Sequence, residues 1–134
     1  MTVALVNLLK AIREALMIKF YGYKKCGTCR KAEKALEKFG VQYTFIDVTE
    51  TPPGASALKK MATQAQIELK KMFNTSGVQY RELNIKEKLP AMKDKEITEL
   101  LAGNGRLIKR PIVTDGTQTT VGYNEESFRK VWGK

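Results

Sequence analysis

Apolar positions recur at helical spacing in the opening stretch of the chain. Leu5, Leu8, Leu9, Ile12 and Leu16 fall on one stripe, with Lys10, Arg13 and Glu14 away from it, which is the period of an amphipathic helix. The stretch makes a poor signal peptide, because no basic segment precedes it and charges interrupt it. Ile18 to Tyr21 then reads as a short apolar strand, and Lys24-Lys25-Cys26-Gly27-Thr28-Cys29 as a loop running into a helix. In that helix Ala32, Ala35, Leu36 and Phe39 return to helical spacing, and Gly40 stands where a helix commonly stops. Gln42 to Val48 reads as a second strand, so the opening is a βαβ unit whose strands should pair in parallel.

Thr51-Pro52-Pro53-Gly54 breaks the pattern and starts a helix over 55–66, followed by a short one near Glu68 to Phe73. Asn74-Thr75-Ser76-Gly77 is a turn. Helical segments at 82–89 and 94–102 follow, ended by Gly103 and Gly105. Leu107 to Thr114 holds a strand with Pro111 near its start, and Asp115-Gly116 turns it into Thr119 to Gly122 as a hairpin. Asn124 caps a last helix carrying Phe128, Val131 and Trp132. The order is β-α-β, helices, β-β-α, with a Cys-x-x-Cys at the first strand-to-helix turn and a proline starting the third strand. Together these define an α/β, thioredoxin-like (glutaredoxin-like) three-layer fold with a mixed sheet of about four strands. Residues 17–134 form this domain, a helical insertion over 54–105 separates its βαβ and ββα halves, and residues 1–16 are an amphipathic extension.

Composition narrows the chemistry. The chain has 134 residues, 24 basic against 14 acidic, a net charge of +10 and no histidine. That absence excludes Ser-His-Asp and Cys-His catalysis and every histidine-containing zinc site. The two cysteines cannot close an all-cysteine zinc site, which needs four thiolates. No metal and no tightly held cofactor is expected. No apolar run of ~18 residues exists to span a membrane, and a secreted disulfide scaffold would carry more than one close cysteine pair, so the expected compartment is the cytoplasm; a monomer is expected as well, although neither feature bears on it. The positive excess clusters around the cysteines and around Lys109-Arg110. This suits an anion, a thiolate or an acidic protein partner. No helix-turn-helix, zinc module or glycine-flanked aromatic ladder accompanies it, so sequence-specific nucleic-acid binding is not expected.

The soft nucleophiles are Cys26 and Cys29. The thiolate is the attacking species in disulfide exchange. Cys26 is placed at the N-terminal end of a helix, where free N–H groups and the macrodipole favour negative charge, with Lys24, Lys25 and Arg30 adding to it. Cys29, three residues on, shares its face, lies within disulfide reach and should be deeper. Cys26 is therefore assigned as the attacking residue and Cys29 as the resolving one. A proline at the start of the third strand is commonly cis in this fold and lies against the cysteine turn. That places Arg110 toward the thiolate or a bound anion, and Gly27, Thr28 and Pro111 complete the expected substrate-binding surface. Tyr80, Trp132 and the five methionines read as core or rim.

Four stretches carry a resemblance: Phe20 through Ala32 with its Cys-Gly-Thr-Cys, Phe73-Asn74-Thr75-Ser76-Gly77 with Tyr80-Arg81-Glu82-Leu83, Leu107-Ile108-Lys109-Arg110-Pro111-Ile112, and Val121-Gly122-Tyr123-Asn124-Glu125. In this order they resemble the arsenate-reductase-like (ArsC) family, and within it the Spx/MgsR branch, over Met17 to Trp132. The resemblance implies that Cys26 is the redox or arsenate-attacking residue and that Arg110 stabilises it. Glutaredoxin-linked arsenate reductases carry two further anion-binding arginines, and these positions fall at Asn74 and Tyr123. Such enzymes lack the second cysteine, which is Cys29 in this chain. Spx members use the cysteine pair as a redox switch and bind the C-terminal domain of the RNA polymerase α subunit through a contact in which a glycine of the insertion matters. The corresponding stretch, Gln64 to Leu69, has no glycine. The resemblance does not reach residues 1–16.

The leading expectation is thus a thiol–disulfide oxidoreductase acting through Cys26 and Cys29 on protein or low-molecular-weight thiols and disulfides. The runner-up is a redox-sensing regulator that binds the RNA polymerase α subunit. The third is a glutaredoxin-linked arsenate reductase, whose activity should be weak without the two arginines.

Overall fold

Side chains of the first strand alternate across the sheet and feed two separate cores. Phe20 joins Cys29, Ala32, Leu36, Val113, Phe128 and Trp132 on one face. Tyr21 joins Val48, Leu58, Met61, Leu101 and Ile112 on the other. The computed structural model describes residues 2–133, the side chains of Glu14 and Ala15 excepted. In chain order the elements are α1 (Val3–Met17), β1 (Lys19–Gly22), α2 (Gly27–Phe39), β2 (Thr44–Asp47), α3 (Ala55–Gln64), α4 (Val78–Glu82), α5 (Ile85–Lys88), α6 (Asp94–Gly103), β3 (Ile112–Thr114), β4 (Thr119–Val121) and α7 (Glu125–Trp132). Single 3-10 turns stand at Leu69–Met72, Leu89–Ala91 and Gly105–Leu107.

The sheet order is β2-β1-β3-β4. β1 pairs β2 in parallel, and the pairs β1–β3 and β3–β4 are antiparallel. Phe20 lies opposite Val113 and Tyr21 opposite Ile112, so each core takes one cross-strand pair. Helices α2 and α7 pack together over the Phe20 face, while α3 and α6 pack together on the other side. This is the three-layer thioredoxin-like arrangement, with α3 and α6 in the second helical layer. Each large side chain fully buried in these cores, such as Phe20, Leu36, Leu58 or Phe128, contributes about 1.5–3 kcal/mol by leaving water. The hairpin is tied to α3 by hydrogen bonds: the buried Thr119 hydroxyl donates to Gln64 Oε1 at 2.6 Å, and Gln64 Nε2 donates to the Gly116 carbonyl at 2.8 Å.

Three elements differ from the sequence reading. The third strand begins at Ile112 rather than Leu107. Residues 105–107 form a 3-10 turn, and Ile108 makes an isolated antiparallel bridge with Phe73 in the insertion. Gly105 is required where this turn meets the end of β2, because a Cβ there would overlap the Val48 carbonyl oxygen. The helix expected over 82–89 is two short ones, α4 and α5, parted at Asn84, whose backbone is left-handed (φ 54°), a conformation asparagine tolerates better than most residues. The second strand keeps only Thr44–Asp47. Helix α1 forms as its period predicts, yet its stripe stays in solvent, with Leu8 56% and Leu16 71% exposed. Among the described residues no helix is long and apolar enough to cross a membrane.

Candidate functional site

β1 ends at Gly22, and the chain turns through Tyr23–Lys25 into α2. Cys26 is the N-cap of that helix, in extended backbone (φ −87°, ψ 119°). Its N–H donates to the Tyr23 carbonyl at 3.0 Å, and its own carbonyl accepts from Arg30 N–H at 3.1 Å. Its Sγ occupies the place of a capping oxygen, accepting the Cys29 N–H at 3.3 Å. A free helix-end donor and the dipole therefore both point at this sulfur, and no acidic side chain sits in the first turn to oppose them.

Cys29, one turn on, is fully buried against Phe20, Ala32, Leu36 and Phe128, whereas Cys26 is half-buried and both are free thiols. Burial pushes the Cys29 thiol up to about 12, and the hydrogen bond to Cys26 and the charge of Cys26 act in the same direction. The Tyr23 backbone and Arg110 pull the other way. The pair is thus asymmetric: one sulfur faces a cleft, and the other stays protonated beneath it.

The cleft holds about 710 Å³. Cys26, Thr28 and Arg110 line it, joined by Tyr23 from the loop before α2, Asn74 from the insertion and Tyr123 from the loop after β4. Gly27 is exposed and lies outside this lining. Pro111 is buried, follows a cis peptide bond from Arg110, and accepts the Gly122 N–H at 2.8 Å through its carbonyl. Arg110 is half-buried. Its Nη1 is buried without a hydrogen-bond partner, its guanidinium carbon lies 5.5 Å from the Tyr23 ring centre, and it belongs to none of the ion pairs among the described residues. Asp47, held below the usual carboxylate range first by the Thr49 hydroxyl, also feels the Arg110 charge. A buried guanidinium nitrogen with no partner is costly, and the rest of the Arg110 side chain lines the cleft with Cys26.

Lys24 departs from its expected part in this field. It pairs with Glu33 at 3.2 Å and lies 3.9 Å over the Phe45 ring, on the side of α2 and β2. The same Glu33 oxygen accepts the Tyr43 hydroxyl at 2.9 Å. Burial, first, and then Glu33 push the Tyr43 hydroxyl upward. Lys25, not Lys24, lines the cleft. Sequence reasoning gave Tyr23 no role, although its position in the loop after the first strand was the available signal.

The mixed sheet, the N-capping cysteine with its buried partner and the cis-proline loop define a thioredoxin-fold protein with a Cys-x-x-Cys site. The profile of the ArsC family matches residues 21–131, and the chain belongs to that family. It is 50% identical over 117 residues to the uncharacterized protein YusI of Bacillus subtilis, a match covering 87% of this chain and 99% of YusI. It is 26% identical over 114 residues to the global transcriptional regulator Spx of Listeria monocytogenes, covering 85% and 86% of the two chains. Among solved structures, an ArsC family related protein of Bacteroides fragilis superposes with a TM-score of 0.83 at 38% identity, covering 87% of this chain and 98% of that one. A possible arsenate reductase of Streptococcus mutans gives 0.76 at 40%, covering 83% and 96%.

Proposed function

We propose that the protein exchanges thiols and disulfides through Cys26, with Cys29 resolving. The observation that carries this is the asymmetry of the pair: Cys26 Sγ faces the cleft and accepts the Cys29 N–H, while Cys29 is buried with its thiol pushed up to about 12. The Cys26 thiolate attacks one sulfur of a substrate disulfide, forming a mixed disulfide and releasing the other sulfur as a thiolate. The Cys29 sulfur then attacks Cys26 Sγ and expels the remaining substrate thiolate, to which the Cys29 proton passes. Two electrons go from the protein dithiol to the substrate, and a low-molecular-weight thiol of the cytoplasm restores the dithiol. Arg110, which lines the cleft with Cys26, supplies positive charge to the anions formed on the way.

Stoichiometric oxidation with diamide tests the reading. The expected product is a monomer lighter by two protons with a Cys26–Cys29 bond, and in the reduced protein iodoacetamide labels Cys26 before Cys29. Intermolecular dimers, or equal labelling, contradict it.

A second reading draws on the Spx relatives and on Lys31, Lys34 and Lys38, all exposed along α2, the helix whose N-terminus carries the cysteines. In it, closing the Cys26–Cys29 bond changes the charge of this face and so binding to the RNA polymerase α C-terminal domain. Binding of that domain to oxidised and reduced protein decides between them; tight, redox-dependent binding favours the regulator. Arsenate reduction is the weakest reading, since Asn74 and Tyr123 line the cleft with neutral side chains where bidentate oxyanion recognition calls for guanidinium groups.

A further inference from the structure

The insertion is stitched to the Arg-Pro loop by a short antiparallel bridge. Asn74 N–H donates to the Leu107 carbonyl and Lys109 N–H to the Met72 carbonyl, both at 2.7 Å, with Phe73 opposite Ile108. The bridge brings together two cationic pairs that are distant in sequence, Lys70-Lys71 and Lys109-Arg110. Beside the Cys26 cleft lies a second cavity of about 490 Å³, lined by Lys70, Lys71 and Lys109, and the two share Asn74, Ser76 and Lys109 in their walls. The Lys109 stem lies over Gly122, where a Cβ would come within 3.0 Å of its Cε, so the ammonium is carried at the junction.

Charge on this double cavity has one sign. Lys25, Lys70, Lys71, Lys109 and Arg110 line it, and among the described residues no carboxylate does, although the chain has 14 acidic residues. Lys70 has an exposed partner, Glu68, at 3.3 Å, a contact that counts for little in solvent. The other four enter none of the ion pairs among the described residues. A cleft lined by one sign of charge concentrates ligands of the opposite sign.

We infer that the double cavity is the track for an acidic polypeptide segment carrying the disulfide that Cys26 attacks. This rests on the thiol–disulfide reading above and names its substrate class. A nucleic acid would meet the same cations but brings no sulfur to Cys26, which opens into one end of the track.

The test uses the full, reduced chain and two peptides of equal length. Each holds one cysteine as a mixed disulfide with 2-mercaptoethanol, flanked by glutamates in one and by glutamines in the other. Second-order rates are normalised to those of dithiothreitol on the same peptides, which removes differences in the leaving thiol. The expected result is a preference of about ten-fold for the acidic peptide at low salt. It falls toward parity in 0.5 M salt as screening shortens the reach of the charges, and it drops at least three-fold in K71Q and in K109Q, both exposed positions checked for unchanged melting temperature. Equal normalised rates, or a preference that persists in both variants, overturn the acidic track while leaving the exchange reading intact. If neither peptide reacts faster than with a free monothiol, the exchange reading fails and the inference falls with it.

Discussion

Replacing Cys29 with alanine removes a buried thiol whose protonation couples stability to pH, and the size of the coupling follows from its position. In the folded protein this thiol is raised from its ordinary value of 9.0 to about 12, first by burial. Below pH 9 it is protonated in both folded and unfolded chains and makes no pH-dependent difference. Above that the unfolded chain loses the proton and the folded one keeps it, so stability falls by about 1.4 kcal/mol per pH unit until the folded thiol ionises. The stability this group confers is thus fully present below pH 9 and lost toward pH 12. By pH 10.5 the loss is about 2 kcal/mol. Cys29→Ala has no such group but leaves a small gap against Phe20, Leu36 and Phe128, costing about 1 kcal/mol at any pH. The wild type should therefore be more stable than the variant by about 1 kcal/mol at pH 7.5 and less stable by about 1 kcal/mol at pH 10.5. Urea unfolding in a phosphine reductant, followed by the single tryptophan, Trp132, reads both values. Tyr21 and Tyr43, also raised, titrate in both proteins and cancel in the difference. A gap that keeps its sign and size from pH 7.5 to 10.5 refutes the argument, because it means that the Cys29 thiol ionises as readily folded as unfolded.

Arg110→Ala should slow attack on the neutral 2-hydroxyethyl disulfide about ten-fold, the scale of one lost hydrogen bond to a charged group, with Arg110→Lys recovering only part; an unchanged rate removes Arg110 from the mechanism. Supplied with glutathione and glutaredoxin, the protein should reduce arsenate weakly or not at all, and a rate equal to that of a relative with three arginines contradicts the reading of Asn74 and Tyr123. A chain beginning at Met17 should melt within about 4 °C of the full chain, a difference worth roughly 1 kcal/mol, because the Leu5, Leu8, Ile12 and Leu16 side chains are exposed; a larger fall means that α1 stabilises the domain.

Local patterns carried much of the fold. Ala32 and Leu36 fill the core as their spacing predicts, and Gly40 ends α2 in left-handed backbone at φ 74°. The relative depths of Cys26 and Cys29 follow from the same helical period. The start of β3 was not legible, because Leu107 and Ile108 are apolar enough for a strand, yet Ile108 pairs with Phe73 and not with the sheet. Lys24 shows the corresponding limit for charge: counting placed it with the thiolate, while Glu33, nine residues on, draws it to the other side of α2. The cleft itself depends on Tyr23, Asn74 and Tyr123 arriving from three separated segments, and such convergence is a property of tertiary packing that no local pattern encodes.

If Cys26 attacks and Cys29 resolves, removing the Cys29 sulfur traps the mixed disulfide on Cys26. Cys29→Ser, Cys26→Ser and wild-type protein are each mixed with an excess of a peptide mixed disulfide, quenched with acid and analysed by mass spectrometry after peptide mapping. The expected products are a stable peptide adduct on Cys26 of the Cys29→Ser protein, an internal disulfide with released peptide in the wild type, and no adduct on the Cys26→Ser protein. An adduct forming as fast on Cys29 of the Cys26→Ser protein, or a Cys29→Ser protein that releases its peptide as readily as the wild type, contradicts that order of attack.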